Sequence, residues 1–232
     1  MLSKKSLKSE ITTGTPYAKE TVFDTMALAY DGWFEEEGKL IFAIEVSGFQ
    51  DVLAYLPRPW LEIGVGSGRF AQALGIGIGV DSSIKLLEMA SKRGISVFLG
   101  SGEQQGFSPA SFGTVFLIFT LCFVNSASDV LKESYRILTS SGKIALGLVL
   151  RDSPWGRLYE RKKKQGHHVY KYATFYTYNE MVKLLEQTGF SIERVISTLF
   201  QNPGMVEHAE LPQEGFSPNA GFVIIIARKD TS

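Results

Sequence analysis

Leu61-Glu-Ile-Gly-Val-Gly-Ser-Gly-Arg-Phe70 is the stretch on which the fold turns. An apolar run from Trp60 to Val65 leads into it, glycines stand at 64, 66 and 68, and a helix-compatible segment continues to Leu74. That order reads as strand, tight turn and helix start. Glycines permit positive φ and let a ligand lie against bare backbone, while the unpaired amides of a helix start favour polar or anionic groups. A second short apolar run, Ile76 to Val80, closes on Asp81. A carboxylate at a strand tip can accept both hydrogen bonds of a ribose diol.

The glycine spacing separates cofactors. A dinucleotide turn wants G-x-G-x-x-G, with the third glycine allowing close helix–strand packing. Arg69 occupies that third place, so the motif is G-x-G-x-G, which disfavours an NAD-dependent oxidoreductase.

Outward from the turn, strand and helix patterns alternate. Tyr17 to Tyr55 carries apolar and aromatic residues at three-to-four spacing, predicting two or three helices that end before Pro57 and Pro59. Tyr17, Tyr30 and Trp33 there are candidates to close a pocket. Ser82 to Arg93 reads as a helix capped by Ser82 or Ser83 and stopped by Gly94, and Ile95 to Leu99 as the third strand. Gly100 to Phe107 then places Glu103 and two glutamines near a strand's carboxyl end, where open parallel sheets bind ligands. Phe112 to Phe119 is apolar throughout, as suits a central strand covered on both faces. Ala127 to Leu138 is helical. Ser140-Ser-Gly142 reads as a turn into a fifth strand, Lys143 to Leu150. Arg151 to Tyr176 breaks the rhythm with mixed basic and aromatic residues, a candidate lid. Thr177-Tyr-Asn-Glu180 fits a capping box, Phe190 to Leu199 a sixth strand, Phe200 to Ala220 a long loop, and Gly221 to Ala227 a buried last strand. The repeated alternation predicts a doubly wound α/β sheet.

Composition narrows the function. The 232 residues suffice for one α/β domain with a full core, or one such domain with a modest insertion, and 24 basic side chains against 24 acidic ones lack the excess expected of a nucleic-acid binder. One cysteine, Cys122, excludes a disulfide framework or a thiolate zinc cluster within one chain; it reads as a buried small hydrophobe, and no metal site is expected. MLSKKSLKSEITTG at the start is followed by no hydrophobic segment, so it reads as a basic tail rather than a signal peptide. Val115 to Val124, the most apolar run, is too short for a transmembrane span. A cytoplasmic protein is expected, with monomer and homodimer both open.

Taken together, LEIGVGSGRF at 61–70, GVDSS at 79–83, GSGE at 100–103, SFGTVFLIFTLCFV at 111–124 and ESYRILTSSGKIAL at 133–146 resemble the class I S-adenosylmethionine-dependent methyltransferases. The resemblance points to their small-molecule branch, which includes ubiquinone and menaquinone biosynthesis enzymes. It implies a three-layer, Rossmann-like fold whose seven-stranded mixed sheet places its last strand antiparallel between its neighbours. It further implies S-adenosylmethionine as cofactor and S-adenosylhomocysteine as product. Gly64, Gly66 and Gly68 would shape the methionine pocket, with Glu62 stabilising the site. Asp81, followed by Ser82, would hold the ribose. Ser101, Gly102 and Glu103 would lie near adenine, and Thr120 and Leu121 would border the sulfonium. Residues 1–56 would form a helical cap, 57–150 the cofactor core, 151–176 the lid, and 177–232 the remainder of the same domain. Three stretches depart from the family pattern: the adenine loop has Ser101, Gly102, Gln105 and Gly106, Gly113 stands where an aspartate is common, and Thr139-Ser-Ser-Gly142 replaces the usual lysine-to-proline-glycine turn before strand five while keeping its glycine.

Methyl transfer is a direct displacement that alignment and desolvation accelerate, and a base is needed only where the acceptor must lose a proton. His167, His168, Tyr17, Tyr30 and Tyr170 are the candidates, for a small-molecule acceptor attacked at O, N or C. A nonenzymatic S-adenosylmethionine-binding or regulatory protein is the alternative. Thr120-Leu-Cys-Phe123 lacks the N/D-P-P-Y pattern of amino-methylating enzymes that act on macromolecules.

Overall fold

The computed structural model describes residues 18–230. Tyr17 lies outside them. Two helices lead, α1 (Ala18–Trp33) and α2 (Lys39–Leu53). The alternation follows: β1 (Trp60–Ile63), α3 (Arg69–Leu74), β2 (Ile78–Asp81), α4 (Ile84–Lys92), β3 (Ser96–Leu99), β4 (Phe112–Ile118), α5 (Ala127–Ile137) and β5 (Leu138–Leu148). The lid segment forms α6 (Pro154–Lys164) and a short 3-10 turn, Tyr170–Tyr172. Then come α7 (Tyr178–Gln187), β6 (Phe190–Thr198), β7 (Gln213–Glu214) and β8 (Phe222–Lys229).

Side chains start the helices where the sequence predicts. Ser83 Oγ accepts from Leu86 N, and the capping box is complete, with Thr177 Oγ1 accepting from Glu180 N and Glu180 Oε2 from Thr177 N. Each such cap contributes about 1 kcal/mol.

The strands form one sheet in the order β3-β2-β1-β4-β5-β8-β6-β7. Pairing is parallel from β3 to β5, and β8 runs antiparallel to both β5 and β6. Successive residues of the buried central strands point to opposite faces of the sheet. Val115 and Leu117 of β4 and Val223 and Ile225 of β8 join one apolar cluster, while Phe116, Ile118, Phe222 and Ile224 join the other. A sheet buried on both faces makes three layers, and this is why its strands read as unbroken apolar runs. The chain leaves β1 toward β2 and β3, then returns on the other side to β4. That reversal opens a crevice at the carboxyl ends of β1 and β4.

The sheet has eight strands where seven were expected. The extra one, β7, pairs Glu214 with Ile196 and Gln213 with Ser197, and so extends the edge beyond β6. Two residues carry no period by which a strand is read. The turn expected at Ser140–Gly142 is absorbed into β5. Its register runs from Leu138 to Lys143 while β4 advances only from Phe112 to Thr114, so the extra residues bulge out of the ladder. Gly113 has a packing reason: a Cβ there would lie 2.4 Å from the Pro57 carbonyl oxygen.

Candidate active site

The turn after β1 is held in one shape by its neighbours. Gly64 has φ +73°, and a Cβ on it would lie 2.5 Å from Thr120 Oγ1, which itself donates to the Ile63 carbonyl at 2.8 Å. Only glycine meets both demands. Gly68, at φ +83°, starts α3; a Cβ there would meet Ile95 Cδ1 at 2.5 Å, so it serves the packing of α4 behind the turn. Gly66 faces the opposite way, into a cavity, where a Cβ would meet only the Tyr30 ring at 3.8 Å.

Asp81 ends β2 beside this turn. Its Oδ2 accepts from Gly66 N at 2.8 Å and its Oδ1 from Ser83 N at 2.9 Å. Each oxygen keeps a further lone pair for a ligand. Burial raises the carboxyl's pKa, against the lowering effect of those backbone amides.

Arg69, read in the sequence as a missing glycine, fastens α1 onto the turn. Its Nε and one terminal nitrogen each meet an oxygen of Asp31 at 2.8 Å, its other terminal nitrogen pairs with Glu35, and Arg93 reaches Asp31 Oδ2 at 2.8 Å. Arg93 also donates to the Ser67 carbonyl at 2.7 Å. Hydrogen bonds from the two arginines outweigh burial and hold the Asp31 carboxyl far below the usual carboxylate range.

The cavity of about 510 Å³ runs from Gly64, Gly66, Asp81, Ser82 and Gly102 to the lid. Its size lies in the range of small-molecule sites. Phe23, Tyr30 and Trp33 of α1 cover one side, and Thr120, Cys122 and Phe123 beyond β4 the other. The lid contributes Tyr159, Lys162, His167, His168, Tyr170 and Phe175. Tyr159 and Tyr170 stack at 4.5 Å, and His167 and His168 at 4.3 Å. Thr174 N bonds to the Cys122 carbonyl at 2.8 Å and ties the lid to the tip of β4.

Several expected residues stand elsewhere. Leu121 is fully buried in the apolar cluster under α5, off the cavity wall. Ser101 is exposed, and Glu103 turns from the cavity to accept from Asn125 N at 2.9 Å ahead of α5. Glu62 sits 2% exposed behind the turn, its Oε2 without a hydrogen-bond partner. Cys122 is half-buried on the wall, not a core hydrophobe, because β4 ends at Ile118 and the chain turns outward.

Among the expected bases, Tyr30 is held as a phenol by burial and by the charges of Asp81, Glu62 and Glu45. Burial pushes Tyr170 up to about 12. Both are hydrogen-bond donors near neutrality, not bases. Burial, with His168 and Lys162 nearby, keeps His167 neutral more readily than a free histidine. Its Nδ1 accepts from Val169 N and Tyr170 N, so the neutral ring carries its proton on Nε2 and presents a donor. The sequence reading missed Glu45. It lies on the cavity wall, 4% exposed, and burial raises its pKa well above normal.

Sheet order, glycine turn and strand-tip aspartate together define a class I, Rossmann-like methyltransferase domain. A family model described as a methyltransferase domain matches residues 61–146. An uncharacterized protein of Mycobacterium tuberculosis is 38% identical over 203 residues, 87% of this chain and 71% of that one. A SAM-dependent methyltransferase from Thermotoga maritima, described as a possible histamine N-methyltransferase, is 34% identical with a TM-score of 0.83, over 92% of this chain and 100% of that one. Magnesium protoporphyrin IX methyltransferase of Synechocystis, solved with bound SAH, shares the fold at 17% identity and a TM-score of 0.65, over 92% and 100% of the two chains. The chain belongs to the S-adenosylmethionine-dependent methyltransferases, and S-adenosylmethionine is its cofactor. The residues fit that group: Gly66 leaves backbone open to the cavity, Asp81 keeps acceptor capacity, and Glu62 carries an unsatisfied oxygen behind the turn. No helix among the described residues is long and apolar enough to cross a membrane.

Proposed function

We propose that this chain methylates a small metabolite bound between the glycine turn and the lid. The observation that carries the reading is the single cavity joining the turn and Asp81 to the aromatic wall of the lid. In this reading residues 1–56 act as a cap, 57–150 as the cofactor core, 151–176 as the lid, and 177–232 complete the same domain. When bound, the cofactor would supply a sulfonium methyl for direct displacement, with S-adenosylhomocysteine as the leaving group.

The chain's own part is placement and the exclusion of water. Asp81 would accept hydrogen bonds from the ribose hydroxyls, and the backbone at Gly64 and Gly66 would lie against the methionine part. Thr120, Tyr30 and the lid rings wall off the space between methyl and acceptor. Holding the two reactants in line there replaces a bimolecular encounter with an intramolecular one, the largest rate effect open to a site of this kind. The description of the Thermotoga protein supports nitrogen as the attacked atom.

Incubating the protein with trideuteromethyl-labelled S-adenosylmethionine and separated fractions of a cell extract tests the proposal. Label is expected in the small-molecule fraction. Label confined to RNA or protein contradicts it, and cofactor binding with no label anywhere favours a regulatory binding protein.

A further inference from the structure

Glu45 is a buried carboxyl on a cavity wall rich in aromatic side chains. It projects from α2, where Ile44 and Phe49 enter the core, and only 4% of it is exposed. The phenol groups of Tyr30, Tyr159 and Tyr170 lie within electrostatic reach of it. Among the described residues no side chain hydrogen-bonds to it or forms an ion pair with it. Lys162, a basic group on the same wall, lies over the rings of Tyr159 at 6.0 Å and Tyr170 at 5.9 Å instead. Burial raises the pKa of Glu45, and among the described residues no cation offsets it.

A buried carboxylate without a countercharge is costly, and aromatic faces attract cations. We infer that Glu45 is the acceptor-binding residue, and that the acceptor is an organic amine whose ammonium group pairs with Glu45 beside the rings of Tyr30, Tyr159 and Tyr170. This deepens the proposed function and rests on it. The ammonium gives one proton to the Glu45 carboxylate, which the site's burial makes a ready proton acceptor. The freed nitrogen lone pair then forms the new N–C bond as the methyl's C–S bond breaks, sulfur keeping the bonding pair. The products are the methylated ammonium and S-adenosylhomocysteine, and Glu45 returns its proton to water when they leave.

The test uses the full chain loaded with S-adenosylhomocysteine, and calorimetry with 2-phenylethylamine and tryptamine, their alcohol counterparts and their carboxylate counterparts. The wild type is expected to bind amines more tightly than the matched alcohols by roughly 30-fold or more. Glu45→Gln is expected to load with S-adenosylhomocysteine as the wild type does and to lose that preference, while Glu45→Asp keeps part of it. Equal binding of amines and alcohols, tighter binding of carboxylates, absence of amine binding to the loaded wild type, or an undiminished preference in Glu45→Gln each overturns the inference. Failure of the wild type to load with S-adenosylhomocysteine is a different result and strikes the proposed function itself.

Discussion

The proposed cofactor end and the proposed acceptor end of the cavity are made by different means. At the cofactor end the polar geometry comes largely from one continuous run, Glu62 to Ser83, whose backbone amides, glycines and single aspartate hold one another in place. At the acceptor end Tyr30, Glu45, Cys122, Tyr159 and Tyr170 come from five separate segments and meet only around the cavity, where Tyr159 and Tyr170 stack. Local backbone geometry builds the first, and tertiary packing assembles the second. A ligand common to a whole family suits the former, and an acceptor that differs among members suits the latter.

Breaking the Arg69–Asp31–Arg93 clamp tests this contrast most severely, since the clamp binds the α1 wall to the glycine turn. Asp31→Ala leaves two largely buried guanidiniums facing each other and is expected to cost about 3–5 kcal/mol of unfolding free energy in urea. A loss below about 1 kcal/mol would mean that α1 is held by its aromatic contacts instead. Gly64→Ala attacks the turn alone. Positive φ and the contact with Thr120 predict a cost of about 1–3 kcal/mol in melting experiments, together with weakened S-adenosylhomocysteine binding.

At the acceptor end, Tyr170→Phe keeps the ring stack and removes one hydroxyl. It is expected to change stability by about 1 kcal/mol or less and to leave S-adenosylhomocysteine affinity within about a factor of two. A further effect concerns Glu45 and pH. A carboxyl whose folded pKa lies above its unfolded value binds more protons when folded, so stability falls as pH rises from the unfolded pKa toward the folded one. Glu45→Gln is therefore expected to raise the Tm of the ligand-free protein at pH 7 and to lose that advantage near pH 4. A gain of 1 kcal/mol corresponds to about 2–4 °C at this chain length. A lower Tm at pH 7 would point to a cation already paired with Glu45.

The same contrast explains what was legible. Glycines at 64, 66 and 68 with Asp81 in sequence reach state a backbone shape directly, and the central strands announce burial by their unbroken apolar runs. Glu45 gave no such signal. An acid in an amphipathic helix reads as solvent-facing, and only the packing of α2 under the lid shows otherwise. Arg69 was legible as a departure from the dinucleotide spacing, but its purpose depends on Asp31, 38 residues earlier. Leu121 and Glu103 were placed by family position. A turn of backbone after β4 sends Leu121 into the core, and the amides ahead of α5 draw Glu103 off the wall. Gly113 looked like a missing aspartate until the Pro57 carbonyl showed that no side chain fits there.

Calorimetric titration with S-adenosylhomocysteine, on the wild type, Asp81→Ala and Glu45→Gln, each shown by melting to be folded, tests the division of the cavity most directly. Expected are binding by the wild type, equal binding by Glu45→Gln, and a loss on the order of 100-fold or more in Asp81→Ala, where the ribose would lose two hydrogen bonds to a carboxylate. Undiminished binding by Asp81→Ala, or its loss in Glu45→Gln, would contradict that division.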